Sequence, residues 1–149
     1  MKIKLGVKNA TVEYLCSMCR GKQVGKAGVT VEYLCTDSRE ADENTLFVVS
    51  VGERVDGHNY MLSAAQNGCK AFLCQYIPEE LEESGYEFSA IVASDSINAL
   101  AQISMTYLSR LNMQNVAVTG SVGKTTTKEF IYAVLSESYK THKTKANHN

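Results

Sequence analysis

An α/β fold, with a small first domain followed by the start of a phosphate-loop domain, is predicted by three features of this 149-residue sequence. Short apolar runs bounded by turn residues, at Leu46–Val49, Ala71–Gln75, Ser89–Ala93 and Val116–Val118, read as buried strands. Segments with helical apolar spacing alternate with them, which is the order of an α/β protein rather than of an all-β or all-α one. The third feature is the stretch NVAVTGSVGKTTT, from Asn115 to Thr127, with KEFIYAVL behind it. It orders a strand, a glycine turn, Gly-Lys-Thr and a helix carrying Phe130, Ile131, Val134 and Leu135.

Taken in order, Thr11 is placed to cap a helix that runs to about Arg20 and stops at Gly21. The hexapeptide TVEYLC occurs at Thr11–Cys16 and again at Thr30–Cys35; with no third copy this is not a solenoid repeat. The first copy reads as helix. The second reads as strand, because Val29, Val31, Tyr33 and Cys35 alternate. Between them, GKQVGKAG is expected to be an exposed turn or hairpin. A strand at Leu46–Val49 leads into a polar loop with Gly52 and Gly57. Asn59–Asn67 is expected to be a helix with Met61, Leu62, Ala64 and Ala65 inward, closed by Gly68. After the strand at Ala71–Gln75, the acidic PEELEESG reads as a solvated turn or short helix. Asp95, or Ser94, caps a helix from about Ser96 to Leu111. That role explains Asp95 better than a metal-binding carboxylate does. The boundary between the two domains falls at Asn112–Asn115, giving 1–113 and 114–149. A further short strand is expected at about Tyr139–Lys143.

Composition narrows the function. An apolar content of 44% supports a core, and a net charge of −1 with a pI near 6.3 argues against nucleic acid or an anionic membrane as the main partner. No apolar run is long enough for membrane insertion, and the basic N-terminus lacks the apolar region of a signal peptide. Five cysteines include the close pair Cys16 and Cys19. With no second pair and no nearby histidine, buried reduced thiols are expected rather than a metal or redox site. Reduced thiols beside a nucleotide loop point to the cytoplasm.

The phosphate loop has a physical rationale. Gly120 and Gly123 let backbone N–H groups converge on phosphate oxygens without a Cβ in the way, and the following helix adds its positive dipole end. Gly120, Ser121, Val122, Gly123, Lys124, Thr125 and Thr126 are therefore the candidate ATP-binding residues. Lys124 is the candidate catalytic residue, reaching the β- and γ-phosphates, and the Thr125 hydroxyl is the candidate Mg²⁺ ligand. Val118 stands where the usual pattern has its first glycine. The bland alternative is a glycine turn between strand and helix with an exposed lysine. The residues after the loop are too few for a phosphate-loop domain, so the sequence reads as the front part of a longer protein.

Two segments together resemble the Mur ligases, the ATP-dependent amide-forming enzymes of peptidoglycan precursor synthesis. TGSVGKTTTKE is similar to the ATP loop of that family, which often lacks the early glycine. TDSRE and LFVVSVGERVDGHNYMLSAAQNGCKAFL are similar to the N-terminal UDP-binding domain of the branch that adds the third residue or the terminal dipeptide. Lys128-Glu129 and the ending KTKANHN favour the dipeptide-adding branch, although Ala146 stands where that branch usually has glycine.

The resemblance implies a three-domain enzyme whose cofactors are ATP and Mg²⁺. Its partners would be a UDP-N-acetylmuramoyl peptide and D-alanyl-D-alanine, joined through an acyl phosphate in the cytoplasm, in support of cell shape and division. It implies substrate contacts at Ser38, Arg39, Arg54 and His58, and a nucleotide contact at Asn147. Structural roles compete at several of these: Asp37 and Arg39 can pair to hold a turn, and Asp56 can cap the loop at Gly57. By itself the chain is expected to be catalytically inactive. The competing readings are the ligase that adds a diamino acid or lysine, a non-catalytic UDP-sugar-binding module, and a generic phosphate-loop GTPase or kinase.

Overall fold

The computed structural model describes residues 2–7, 10–111 and 113–144. The chain divides into two compact units, residues 1–112 and 113–149.

The first unit is built on a six-stranded sheet. In chain order its elements are β1 (Lys2–Lys4), β2 (Ala10–Thr11), α1 (Val12–Cys16), β3 (Lys22–Gly25), β4 (Thr30–Val31), β5 (Tyr33–Cys35), β6 (Thr45–Val48), α2 (Met61–Gln66), β7 (Ala71–Cys74), α3 (Glu79–Glu82), β8 (Ser89–Val92) and α4 (Ser96–Arg110). The sheet order is β1-β5-β6-β7-β8-β3. Strands β5 to β8 are mutually parallel, with Phe47 opposite Phe72 and Phe72 opposite Ala90, whereas β1 and β3 close the two edges antiparallel. β2 and β4 form a separate two-stranded ribbon.

A parallel strand covered on both faces is apolar at every position, and β6 and β7 are buried throughout. Alternation divides their side chains between two cores. Leu46, Val48, Leu73 and Ile91 pack with Leu15 of α1 and Ile103 of α4. Phe47, Val49, Phe72 and Cys74 pack with Met61 and Ala64 of α2 and with Leu81 of α3. The result is a three-layer sandwich, in agreement with the α/β expectation.

Several elements follow the sequence reading closely. Thr11 caps α1 by accepting from Tyr14 N at 3.1 Å, and the second TVEYLC is strand, broken only at Glu32. Asp95 caps α4, its Oδ1 accepting from Ile97 N and Asn98 N at 2.9 Å each. Asp95→Ala is expected to cost about 1 kcal/mol of unit stability, read as a shift in the urea midpoint.

Other expectations are corrected. GKQVGKAG is not a free turn: Lys22–Gly25 pairs along β8, and its lysines suit an exposed edge. Lys2–Lys4, for which no element was expected, is the opposite edge strand. The first helix ends at Cys16 and continues only as turns, so Cys16 and Cys19 are half-buried rather than buried; neither is in a disulfide. The acidic segment is more than a solvated face, because Leu81 is fully buried against the α2 side of the sheet.

In the second unit, α5 (Lys124–Ser136) is the regular element among the described residues. Val116–Val118 and Tyr139–Lys143 are not strands. Strand hydrogen bonds come from a neighbouring strand, and the described residues of this unit supply none.

Candidate functional site

Two groups of residues carry the candidate chemistry, one in each unit. In the first, the parallel strands β5, β6, β7 and β8 all end on the same side of the sheet, and the loops that follow them hold the residues of interest. Crevices outside the carboxyl ends of parallel strands are where ligands bind in open α/β sheets.

After β5, Asp37 caps a single 3-10 turn, Ser38–Glu40. Its Oδ1 accepts from Arg39 N at 3.0 Å and Arg39 Nε at 2.9 Å, and its Oδ2 from Arg39 Nη2 at 2.6 Å. These bonds from the guanidinium hold the Asp37 carboxyl well below the usual carboxylate range. Cys35 Sγ donates to Asp37 O and accepts from Asp37 N, which ties the turn to the strand end. Asn67 Nδ2 donates to Ser38 O at 3.2 Å from the end of α2. Ser38 is thus fixed through its backbone while its hydroxyl has no hydrogen-bond partner among the described residues. Arg39 is 87% exposed, so the side of its guanidinium away from Asp37 is open.

After β6, residues 50–57 fold into a tight loop in which Val51 bridges Asp56 and Gly57 N donates to Ser50 O at 2.9 Å. A Cβ on Gly57 would stand 2.7 Å from Ser50 O, so the closure requires glycine. Asp56 Oδ1 accepts from His58 N at 2.9 Å and from His58 Nδ1 at 2.6 Å, while its Oδ2 accepts from Tyr76 Oη at 3.1 Å. His58 Nε2 in turn accepts from Gln75 N at 3.2 Å, and the His58 ring stacks on Tyr76 at 3.8 Å. The two bonds fix the neutral Nδ1–H tautomer. His58 is 1% exposed with both nitrogens engaged, so it braces the loop and has no group left for a ligand. Arg54, near the tip of the same loop, is exposed and unpaired among the described residues.

Bonds from the backbone and then the side chain of His58 hold the Asp56 carboxyl below its ordinary value. A depressed carboxylate stabilises the fold above its unfolded pKa, about 3.9, and loses that contribution as pH falls through the native value. Asp56→Asn is therefore expected to flatten the acid limb of a plot of urea midpoint against pH. An unchanged acid limb would show that Asp56 does not carry it.

In the second unit the glycine turn reaches α5 at Gly123, whose φ of 80° lies in the left-handed region. Lys124 is the first residue of α5, and its Nζ donates to Gly120 O at 2.6 Å across the loop. Thr125 and Thr126 follow in the first turn, and Thr127 N donates to Gly123 O at 2.9 Å. The loop from Gly120 to Gly123 is exposed, with open space where a Cβ on Gly123 would stand. Helix start, ammonium and unobstructed backbone therefore come together here. Lys143 pairs with Glu129 and lies 4.3 Å over the Tyr132 ring, and Lys128 Nζ donates to Thr144 O at 2.9 Å. Lys143 and Thr144 thus meet Lys128 and Glu129 along α5. Asn147 lies outside the described residues.

Cys35, Asn67 and Tyr76 organise the first group without having been picked out from the sequence. Asn67 acts through a partner that only the fold supplies, Cys35 reads in the sequence only as an alternating strand position, and an exposed tyrosine after a strand carries no pattern. Among the described residues, no group of three or more His, Cys, Asp or Glu side chains is placed to hold a metal ion, and no helix is long and apolar enough to cross a membrane.

The fold and the loop define a parallel α/β unit followed by a phosphate-loop turn, and comparison with known proteins narrows this further. Residues 30–121 match the model of the Mur ligase family, catalytic domain, and residues 118–149 match the Mur ligase middle domain. The chain belongs to the Mur ligase family. It is 39% identical over 115 residues to the UDP-N-acetylmuramoyl-tripeptide–D-alanyl-D-alanine ligase of Bacillus subtilis, a match covering 76% of this chain and 24% of that protein. Among solved structures it resembles MurF from Acinetobacter baumannii, with a TM-score of 0.80 and 27% identity over 96% of this chain and 31% of that one. It also resembles MurF ligase from Thermotoga maritima in complex with ADP, with a TM-score of 0.66 and 32% identity over 78% of this chain and 26% of that one. The chain spans about a quarter of the length of the curated relatives it matches.

Proposed function

We propose that this chain supplies the UDP-binding and phosphate-loop segments, within residues 1–113 and 114–149, of a ligase joining D-alanyl-D-alanine to UDP-N-acetylmuramoyl tripeptide. The observation that carries the nucleotide part is the glycine turn that delivers Lys124 to the first position of α5. Gly120, Ser121, Val122, Gly123 and Thr126 present backbone donors to ATP phosphates, and Asn147 completes the nucleotide contacts. The exposed loop fits such a group, and the Thr125 hydroxyl is the ligand this chain offers to Mg²⁺. Lys124 is the catalytic residue and offsets charge that develops as the γ-phosphoryl group moves to the peptide carboxylate. The resulting acyl phosphate takes the dipeptide amine, releasing phosphate. Ser38, with its unbonded hydroxyl, Arg39 and Arg54 bind the UDP-sugar substrate, and His58 holds the loop that carries Arg54. The reaction belongs in the cytoplasm, where ATP and the soluble precursor meet.

The choice of incoming amine is supported by the name of the Bacillus subtilis relative. A second reading has its own support: the UDP-N-acetylmuramoyl-L-alanyl-D-glutamate–2,6-diaminopimelate ligase of Bacteroides fragilis is 31% identical over 122 residues. Phosphate release from ATP by the complete protein separates the two. Release only with UDP-N-acetylmuramoyl tripeptide plus D-alanyl-D-alanine is expected. Release only with the dipeptide precursor plus a diamino acid would assign the second reading, and release with neither would reject both.

A further inference from the structure

We propose that Cys16 and Cys19 form a vicinal dithiol that closes to an intramolecular disulfide, making the end of α1 a site of reversible oxidation. Cys19 N donates to Cys16 O at 3.2 Å, closing a turn across the two residues. Residues at the ends of such a turn have Cα atoms within about 7 Å, which overlaps the disulfide range of about 4.4–6.8 Å.

The side chains converge as well. Cys16 Sγ donates to Gly21 O at 3.5 Å, and Cys19 Sγ lies 3.3 Å from where a Cβ on Gly21 would stand. Both sulfurs therefore rest against one small residue. A larger residue at 21 would strike Ile91 Cγ2 at 2.6 Å and crowd Cys19 Sγ, so Gly21 keeps the space between them open. Burial, with the neighbouring Cys19 as the next cause, pushes the Cys16 thiol up.

The other thiols have no comparable arrangement. Cys35, Cys69 and Cys74 are buried, whereas Cys16 and Cys19 reach solvent. Cys35 Sγ is committed to the Asp37 backbone, and burial pushes the Cys69 and Cys74 thiols up to about 11 and about 12. Reactivity follows access to the thiol, which favours the pair on α1.

The co-reactant is a low-molecular-weight disulfide, RSSR. One thiolate of the pair attacks a sulfur of RSSR and expels RS⁻, leaving a mixed disulfide. The second thiolate attacks the protein sulfur of that bond and expels the second RS⁻. Two protein thiols are oxidised, RSSR is reduced to two RSH, and the two thiol protons end on the leaving thiolates. Closing the bond removes the S–H donor from Gly21 O, the residue that leads into edge strand β3, so the modification acts on the sheet edge.

The test uses the reduced 149-residue chain incubated under native conditions with oxidised glutathione, followed by intact-mass measurement and tryptic mapping. Cys16 and Cys19 fall in one tryptic peptide, residues 9–20, with no Lys or Arg between them. The expected result is loss of the mass of two hydrogen atoms from that peptide, reversed by dithiothreitol. Alkylation of these two thiols should be roughly tenfold faster than that of the other three. Cys16→Ser and Cys19→Ser should each stop at a mixed disulfide on the remaining cysteine, with an unchanged far-ultraviolet circular dichroism spectrum. A wild-type chain that forms only glutathione adducts, links Cys35, Cys69 or Cys74, or does not oxidise would overturn the proposal, whatever the variants do.

Discussion

Replacing Lys124 with methionine is expected to lower the turnover of the complete ligase by about 10²–10³-fold, the usual effect of removing one donor aimed at developing charge. The side chain is half-buried and its bond to Gly120 O is local, so the fold should be little affected. Nucleotide affinity should fall less than turnover, because the backbone donors of the glycine turn and the start of α5 remain. Lys124→Arg should also be impaired, since a planar guanidinium cannot occupy the position of a compact ammonium. Steady-state phosphate release, set beside the ATP dissociation constant of each variant, reads the two effects separately. Equal losses in affinity and turnover would mean that Lys124 holds ATP without serving the phosphoryl step.

Phe72→Ala is expected to cost the first unit about 3–5 kcal/mol, the range for an aromatic side chain truncated in a packed core. Phe72 is fully buried at the middle of the sheet, in edge-on contact with Phe47 and Phe88, each with ring centroids 6.3 Å away. Domains of this size have about 5–15 kcal/mol in total, so the variant should have lost much of its margin. Urea unfolding followed by tyrosine emission is the suitable measurement, because the chain has no tryptophan. Val122→Ala, at a position 89% exposed, should stay within about 0.5 kcal/mol and serves as the comparison.

The elements legible in the sequence are those whose signal is local. β6, β7 and β8 announce themselves as unbroken apolar runs because both faces are covered. α4 is marked by Asp95 at its start, and the glycine turn before α5 by its spacing. The edge strands are a different matter. Lys2–Lys4 and Lys22–Gly25 are polar, and what makes them strands is the partner backbone of β5 and β8, far along the chain. Val116–Val118 fails in the opposite sense: its residues favour a strand, but the described residues of its unit offer no neighbour.

The candidate site divides along the same line. Ser38, Arg39 and Arg54 could be picked out by motif resemblance, and the structure places them in loops at the carboxyl ends of β5 and β6. The chain of contacts from Asp56 through His58 to Gln75 and Tyr76 crosses from one strand end to the next, and no spacing in the sequence encodes it.

The two closing strands of the sheet both come from the first 25 residues, yet they pair with segments made at very different times during synthesis. β1 can pair as soon as Tyr33–Cys35 has emerged from the ribosome, whereas Val24 must wait for Ala90. Until then β3 is a strand without a partner, and nascent β7 presents its outer edge to any other chain nearby. The last parallel strand therefore acts as a latch: ribosome stalling or cleavage before Ser89 should leave a sticky intermediate, and passage beyond Val92 should remove that hazard.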